Sequence, residues 1–337
     1  MDPGKVSREF FDTHVAPNLG ADRDDVRLGP THGADFGVLS LGERRVCALA
    51  TDPVFVLRDL GLDRAAWFAF HILVSDAALS GIPPTHLALD LNLPLDADPA
   101  EVGRVMEVFD REARDLGISI VTGHTGAYEG CSFPTVGAGT ALAVGDESDL
   151  VLPTGAEPGD RLVVTKGPAI ETTGLLAVCF GDDLDLPEST VAAARERFDE
   201  ASPVRDALAA AATGEVTAMH DATERGVDNA LHELADAAGV RLSVERERFP
   251  VGDGVHDLCE HLGIDPWTSS SEGTVVLAVR EGGVGAVLDA LGDEGIRAAE
   301  VGRVESGSGV EVDGEELPEP TSDPLWPAYE RLRGDGE

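Results

Sequence analysis

Two aspartates in the N-terminal half, Asp35 and Asp52, stand where a loop meets a strand, and a third, Asp76, lies on an apolar helix; carboxylates that converge from such places can ligate a hard cation. Asp35 closes the run Gly29-Pro30-Thr31-His32-Gly33-Ala34 and precedes an extended segment, Phe36 to Leu41. Asp52 ends a second extended segment, Val46 to Thr51, at Asp52-Pro53, since proline cannot continue a central ladder. Asp76 lies in the run Ala65 to Leu79, whose apolar residues leave little water beside it. A buried carboxylate is costly unless neutralised, paired or metal-bound, so Asp76 is expected to have such a partner. Singly, each of the other two is more often a turn former than a ligand. Together, three carboxylates can hold one or two Mg²⁺ ions against a triphosphate, because that cation takes oxygen ligands and keeps waters.

Two further segments fit phosphate chemistry. Gly123-His124-Thr125-Gly126 follows an extended stretch, Ile118 to Val121, and reads as a loop offering backbone N–H groups and a hydroxyl. A plain turn accounts for the same residues. Lys166-Gly167-Pro168 precedes a helical segment and places a cation near a helix N-terminus; without context, Lys166 reads as a solvated surface lysine. Neither a Walker loop nor a dinucleotide-binding glycine fingerprint occurs, so a nucleotide would be held by another architecture. The four cysteines, Cys47, Cys131, Cys179 and Cys259, form no CxxC pair. They support neither a disulfide framework nor a zinc site and read as small buried hydrophobes.

The elements that must position these residues alternate between strand and helix. Ala65 to Leu79 reads as a helix apolar nearly all round, hence buried. His86 to Leu93 is a strand with Leu87, Leu89, Leu91 and Leu93 on one face. Asp98-Pro99 opens a helix that Gly117 closes, and Thr135 to Val144 is a glycine-rich strand. Pro153 to Gly159 marks a boundary. Beyond it, Arg161 to Thr165 is a strand, Ala169 to Phe180 a helix, and Glu188 to Ala212 one long alanine-rich helix. Val216 to Met219 is a strand running into His220-Asp221, and Val227, Ala230, Leu231, Leu234 and Ala238 recur at helical spacing. A length of 337 residues with this alternation implies α/β or α+β layers in two domains, 1–152 and 153–337, the second with an acidic tail.

A formal charge of −38, from 63 acidic and 25 basic residues, disfavours nucleic acid and anionic membranes as partners. Such self-repulsion is screened to about 3 Å in 1 M salt, so the acidity reads as halophilic adaptation to a salty cytoplasm. The longest apolar stretch, Ala65 to Val74, is too short for a membrane span, and Met1-Asp2-Pro3-Gly4-Lys5 is no secretory signal. A cytoplasmic location is expected.

In order along the chain, these fragments resemble the ATP-binding superfamily of aminoimidazole ribonucleotide (AIR) synthetase and the HypE-type hydrogenase-maturation proteins. Thr51-Asp52-Pro53-Val54 is similar to the family's Thr-Asp strand end, and Ser75-Asp76-Ala77-Ala78-Leu79-Ser80-Gly81-Ile82-Pro83-Pro84 to its Asn-Asp-Ile-Ala-x-x-Gly-x-x-Pro signature. Thr122-Gly123-His124-Thr125 matches its Gly-Gly/Asp/His-Thr/Ser loop. Met219-His220-Asp221-Ala222-Thr223-Glu224-Arg225-Gly226 resembles a Met-Arg-Asp-Pro-Thr-Arg-Gly-Gly element, and Ser271-Glu272-Gly273 an Asn-Glu-Gly. The likeness runs from about Gly29 to Val304.

The resemblance implies a PurM-like two-domain fold, dimerised through N-terminal domains that share a β-barrel and bind ATP at the inter-subunit cleft. It implies an ATP- and Mg²⁺-dependent enzyme that phosphorylates an amide, carbonyl or related oxygen of a small-molecule or protein-borne acceptor. By position, Asp35, Asp52 and Asp76 would hold metal and phosphates. Gly123, His124 and Thr125 would form the phosphate loop, with Lys166 a further phosphate-facing candidate. Asp221 and Glu272 would line the substrate side as catalytic residues. Two features depart from HypE: the last cysteine is Cys259 where HypE carries a terminal one, and Glu224-Arg225 displace Arg-Gly. A thiamine-monophosphate kinase-like phosphotransferase and a non-catalytic ATP-binding maturation partner are the alternatives.

Overall fold

The computed structural model describes residues 8–31 and 33–334, so the reading of Met1–Lys5 lies outside the described residues. Two compact units emerge: Asp35–Leu150, and Val151 onward together with the residues up to Ala34. The earlier residues group with the second unit because Gly33 leans on a helix there; a Cβ on it would meet the Glu233 carbonyl oxygen at 2.6 Å. Two short elements, α1 (Arg8–Phe10) and β1 (Val26–Leu28), precede the first unit.

The first unit comprises β2 (Gly37–Gly42), β3 (Arg45–Phe55), α2 (Leu62–Ala78), β4 (His86–Leu93), α3 (Pro99–Leu116), β5 (Ser119–Ala127) and β6 (Thr135–Asp146). Its strands lie in the order β2-β3-β6-β4-β5. Only β4 and β5 are parallel among these, and α3 supplies the crossover that a parallel pair needs. The caps of α3 are as expected: Asp98 Oδ1 accepts from Ala100 N at 2.8 Å, and Gly117 closes the helix at φ 73°. The alternation in β4 also holds, Leu87, Leu89 and Leu91 being buried. Buried residues line most of α2, which packs across β3 and β6.

Two expectations are corrected here. Strand β3 does not stop at Thr51. It runs through Asp52 and Pro53, paired with Gly139 and Ala138, and absorbs the proline's missing donor in an irregularity between Pro53 and Phe55. Nor is 122–125 a loop. β5 continues to Ala127 alongside β4, with Val121 as the extra residue where the register shifts from Leu87–Ile120 to Ala88–Thr122.

The second unit comprises β7 (Arg161–Thr165), α4 (Ile170–Phe180), α5 (Glu188–Glu196), α6 (Val204–Ala211), β8 (Val216–Asp221), α7 (Gly226–Ala238) and β9 (Arg241–Val244). It continues with α8 (Val255–Leu262), β10 (Val275–Val279), α9 (Val284–Asp293), β11 (Ala298–Glu305), β12 (Gly309–Val312), β13 (Glu315–Glu316) and α10 (Leu325–Gly334). The sheet order is β13-β12-β9-β11-β7-β10-β8. Every residue of β10 is buried, as a central strand covered on both faces requires. The single helix expected from Glu188 to Ala212 is broken: a 3-10 turn follows α5, and α6 starts only after Pro203, which has no N–H to continue a helix. The acidic tail ends in α10, anchored by buried Leu325, Ala328 and Tyr329, with the Tyr329 ring edge-on to Phe180 at 5.3 Å. Among the described residues, no helix is long and apolar enough to cross a membrane. Cys47 and Cys259 are buried, whereas Cys131 and Cys179 are only half-buried.

Candidate functional site

In the first unit, Asp52 and Gly139 are cross-strand partners, so their side-chain directions share one face of the sheet. A Cβ at Gly139 would stand 2.9 Å from Leu73 Cδ1, so Asp52 leaves the sheet on the side where α2 lies. Asp76 follows Leu73 by one helical turn. It is half-buried, together with Ile72, where the sequence pointed to full burial; this part of α2 is not wholly covered. Asp35 lies two residues before β2, whose first residue, Gly37, pairs with Leu49. Carboxylate oxygens are the donors that Mg²⁺ takes, but among the described residues Asp35, Asp52 and Asp76 do not form a group whose ligand atoms all lie within 4.8 Å of one another.

Leu89 of β4 pairs with both Gly139 and Gly123, so Asp52, Gly139, Leu89 and Gly123 form one row across four strands. At about 4.8 Å per strand, the row separates Asp52 from Gly123 by about 14 Å, and a ligand touching both must span that gap. Gly123 tolerates no side chain, since a Cβ would fall 2.2 Å from the Leu89 carbonyl oxygen. His124 and Thr125 are exposed, and His124 Nε2 is hydrogen-bonded to the Tyr128 hydroxyl at 2.6 Å.

Sequence reasoning passed over Asp90, the register partner of His124, which accepts from Asn92 Nδ2 at 2.9 Å. The alternating leucines drew attention to the buried face of β4; Asp90 and Asn92 are the polar residues interleaved with them. Gly137 holds this strand close: at φ 136°, a Cβ there would lie 1.8 Å from the Asp90 carbonyl oxygen. Gly137→Ala is therefore expected to destabilise by more than about 1 kcal/mol, as read from urea unfolding, and to shift Asp90.

In the second unit, Asp221 ends β8 opposite Val275. His220, beside it, donates from Nδ1 to the Asp221 carbonyl at 2.7 Å, and its Nε2 lies 3.7 Å from Glu233. Glu272 sits in the turn before β10. That turn is stitched to the segment after Asp221: Ser271 N donates to the Ala222 carbonyl at 3.0 Å, and Ala222 N to the Thr274 carbonyl at 2.9 Å. The two predicted substrate-side residues are thus carried by adjoining loops. A residue without any sequence signal, Glu171 in the first turn of α4, accepts from Glu272 N at 3.2 Å. Burial pushes its carboxyl up to about 8, and the nearby Asp323 and Glu224 charges add to the effect.

Lys166 is a correction. It is neither solvated nor available to a phosphate: its side chain is buried, and Nζ donates to the carbonyls of Glu200, Ser202 and Gly273 and to Asp206 Oδ2, all at 2.8–3.0 Å. An ammonium has three donors, and four acceptors already surround this one.

The N-terminal domain of AIR synthase related protein matches residues 33–144 and its C-terminal domain residues 157–315. The chain is similar to the carbamoyl dehydratase HypE of Escherichia coli, 30% identical over 71% of this chain and 70% of that protein. The HypE of Rhodobacter capsulatus is 32% identical over 68% of this chain and 66% of its own length. Among solved structures, a hydrogenase maturation protein HypE in complex with ATP has a TM-score of 0.67 at 21% identity, covering 94% of this chain and 93% of that one. AaThiL complexed with AMPPCP and TMP has a TM-score of 0.70 at 21% identity, covering 87% and 91%. The mixed α/β architecture of two sheets is the PurM-like two-domain fold.

Proposed function

The chain belongs to the AIR synthase-related family, in its HypE-like branch, and from that membership we propose an ATP- and Mg²⁺-dependent enzyme that phosphorylates an amide- or carbonyl-type oxygen of a small-molecule or protein-borne acceptor. The observation that carries this reading is the position of Asp52, directed to the α2 side and in one row with Gly123. Asp35 and Asp76 would join it in holding Mg²⁺, which when bound neutralises charge on phosphate oxygens. The Gly123 backbone and the Thr125 hydroxyl would meet phosphates, with His124 fixed beside them by Tyr128. Asp221 and Glu272 would face the acceptor. Transfer forms a bond from the acceptor oxygen to the γ-phosphorus and breaks the bond to ADP; a carboxylate at either position would take the proton that the acceptor gives up. The ATP and AMPPCP complexes of the two similar folds support nucleotide use.

The test is ADP release by purified protein in molar salt, with carbamoyl compounds, primary amides and thiamine monophosphate as acceptors. Turnover is expected to require Mg²⁺ and an amide-type acceptor, and Asp52→Asn to lower it about a hundredfold. Phosphorylation of thiamine monophosphate alone would make the chain a kinase. Tight ATP binding without turnover on any acceptor would make it a nucleotide-binding partner protein.

A homodimer, in a salty cytoplasm, is part of the proposal. The outer strand β5 is exposed along almost its whole length, and Val121 is 55% exposed on it. An open apolar edge of that kind needs a cover. Light scattering in molar salt is expected to give twice the chain mass, and Val121→Lys to return the monomer; a monomeric wild type at micromolar concentration removes the dimer.

A further inference from the structure

The segment between β13 and α10 has no role in the chemistry above, yet it is gripped by both loops that carry the acceptor-side residues. Asp323 is the centre of that grip. Its Oδ2 accepts from the backbone N–H of Arg225 at 2.7 Å and from the hydroxyl of Ser270 at 2.7 Å. Its Oδ1 accepts from Leu325 N at 2.9 Å, which caps the start of α10. Arg225 grips the same segment again through its side chain, donating to the Pro320 carbonyl at 3.2 Å and lying 3.6 Å from Glu319.

Arg225 sits four residues after Asp221, and Ser270 two residues before Glu272. Neither loop holds its shape by secondary structure. Arg225 is left-handed at φ 63°, a conformation that costs a non-glycine residue about 1 kcal/mol or more. Gly226 follows at φ 65°, where a Cβ would meet the Ser269 carbonyl oxygen at 2.4 Å, so the loops are in direct contact. A charged acceptor serving a donor from each loop is stronger than a neutral one and fixes their spacing. Its third bond ties that spacing to α10, whose Leu325, Ala328 and Tyr329 are buried.

We propose that Asp323 is a positioning residue: a carboxylate clamp that sets the distance between the loops bearing Asp221 and Glu272 and makes the segment before α10 part of the scaffold of the acceptor side. The clamp is a matter of hydrogen bonds; its catalytic consequence rests on the reading of Asp221 and Glu272 given above.

Two measurements on the full chain in molar salt separate these layers. In Asp323→Asn, amide exchange in 223–227 and 269–274 is expected to quicken about tenfold, the equivalent of one lost hydrogen bond, with β4 unchanged. Ser270→Ala is expected to loosen 269–274 while leaving the Arg225 amide protected. In turnover, Asp323→Asn is expected to lower kcat about tenfold and to leave KM for ATP unchanged. Undiminished protection of both loops in Asp323→Asn overturns the clamp. A fall in ATP affinity matching the fall in kcat overturns positioning in favour of general destabilisation. A wild type without turnover removes the enzyme reading alone, and exchange still decides the clamp.

Discussion

Lys166→Met is expected to cost about 3–5 kcal/mol of folding stability and to leave the ATP affinity of the folded protein unchanged. The cost arises at Asp206, which is 1% exposed and has the Lys166 ammonium at 2.8 Å. Burial raises the Asp206 carboxyl, and Lys166 opposes that rise. Without the lysine, the carboxylate must either stay charged in a dry site or take up a proton. The loss is therefore larger at neutral than at acid pH, where protonation is nearly free. Three main-chain carbonyls, of Glu200, Ser202 and Gly273, lose their donor as well. Denaturant unfolding in molar salt at two pH values measures the first part, and titration with ATP the second. A stable variant with greatly weakened ATP binding would return Lys166 to the phosphate.

Glu171→Gln is expected to stabilise the protein at alkaline pH and to do nothing at pH 5. The folded state holds the Glu171 proton until about pH 8, whereas the unfolded chain releases it near 4.5. Stability contributed by the protonated form is thus complete below about 4.5 and lost as pH rises to about 8. The loss is on the order of 5 kcal/mol for a carboxyl this buried. Glutamine keeps an acceptor for Glu272 N and has no proton to lose, so the two proteins should match in acid and separate above neutrality. Thermal unfolding from pH 5 to 9 in molar salt shows the divergence. Parallel curves across that range would mean that Glu171 ionises without penalty, contrary to its place among Asp323 and Glu224.

Residues whose partners are close in sequence were legible. Leucine alternation gave β4 its bounds, and Asp98-Pro99 with Gly117 gave α3 its ends, because capping and two-residue periodicity are local. Errors arose where a distant segment decides. Pro53 reads as a strand end, yet β6 carries the ladder past it. Gly123-His124-Thr125 reads as a loop, yet pairing with β4 keeps it extended after the Val121 bulge. Lys166 resembles a surface lysine until residues 200, 202, 206 and 273 gather round it. Glu171 was invisible for the same reason, since what perturbs it comes from Glu272, Glu224 and Asp323. The aspartates at 35, 52 and 76 are legible by type and order along the chain, and of the three the sheet register fixes the direction of Asp52 alone.

The docking of Gly33 on α7 and of Asp323 on the loops at Arg225 and Ser270 also bears on how the molecule is made. A nascent chain that has cleared the ribosome through Leu150 already carries all the strands from β2 to β6, and domains generally fold as they emerge. The other half must wait, keeping an early segment in reserve until translation has passed Asp323. Newly made protein would complete the unit of β2 to β6 first and the unit closed by α10 last, and a ribosome stalled between the two would display the one without the other.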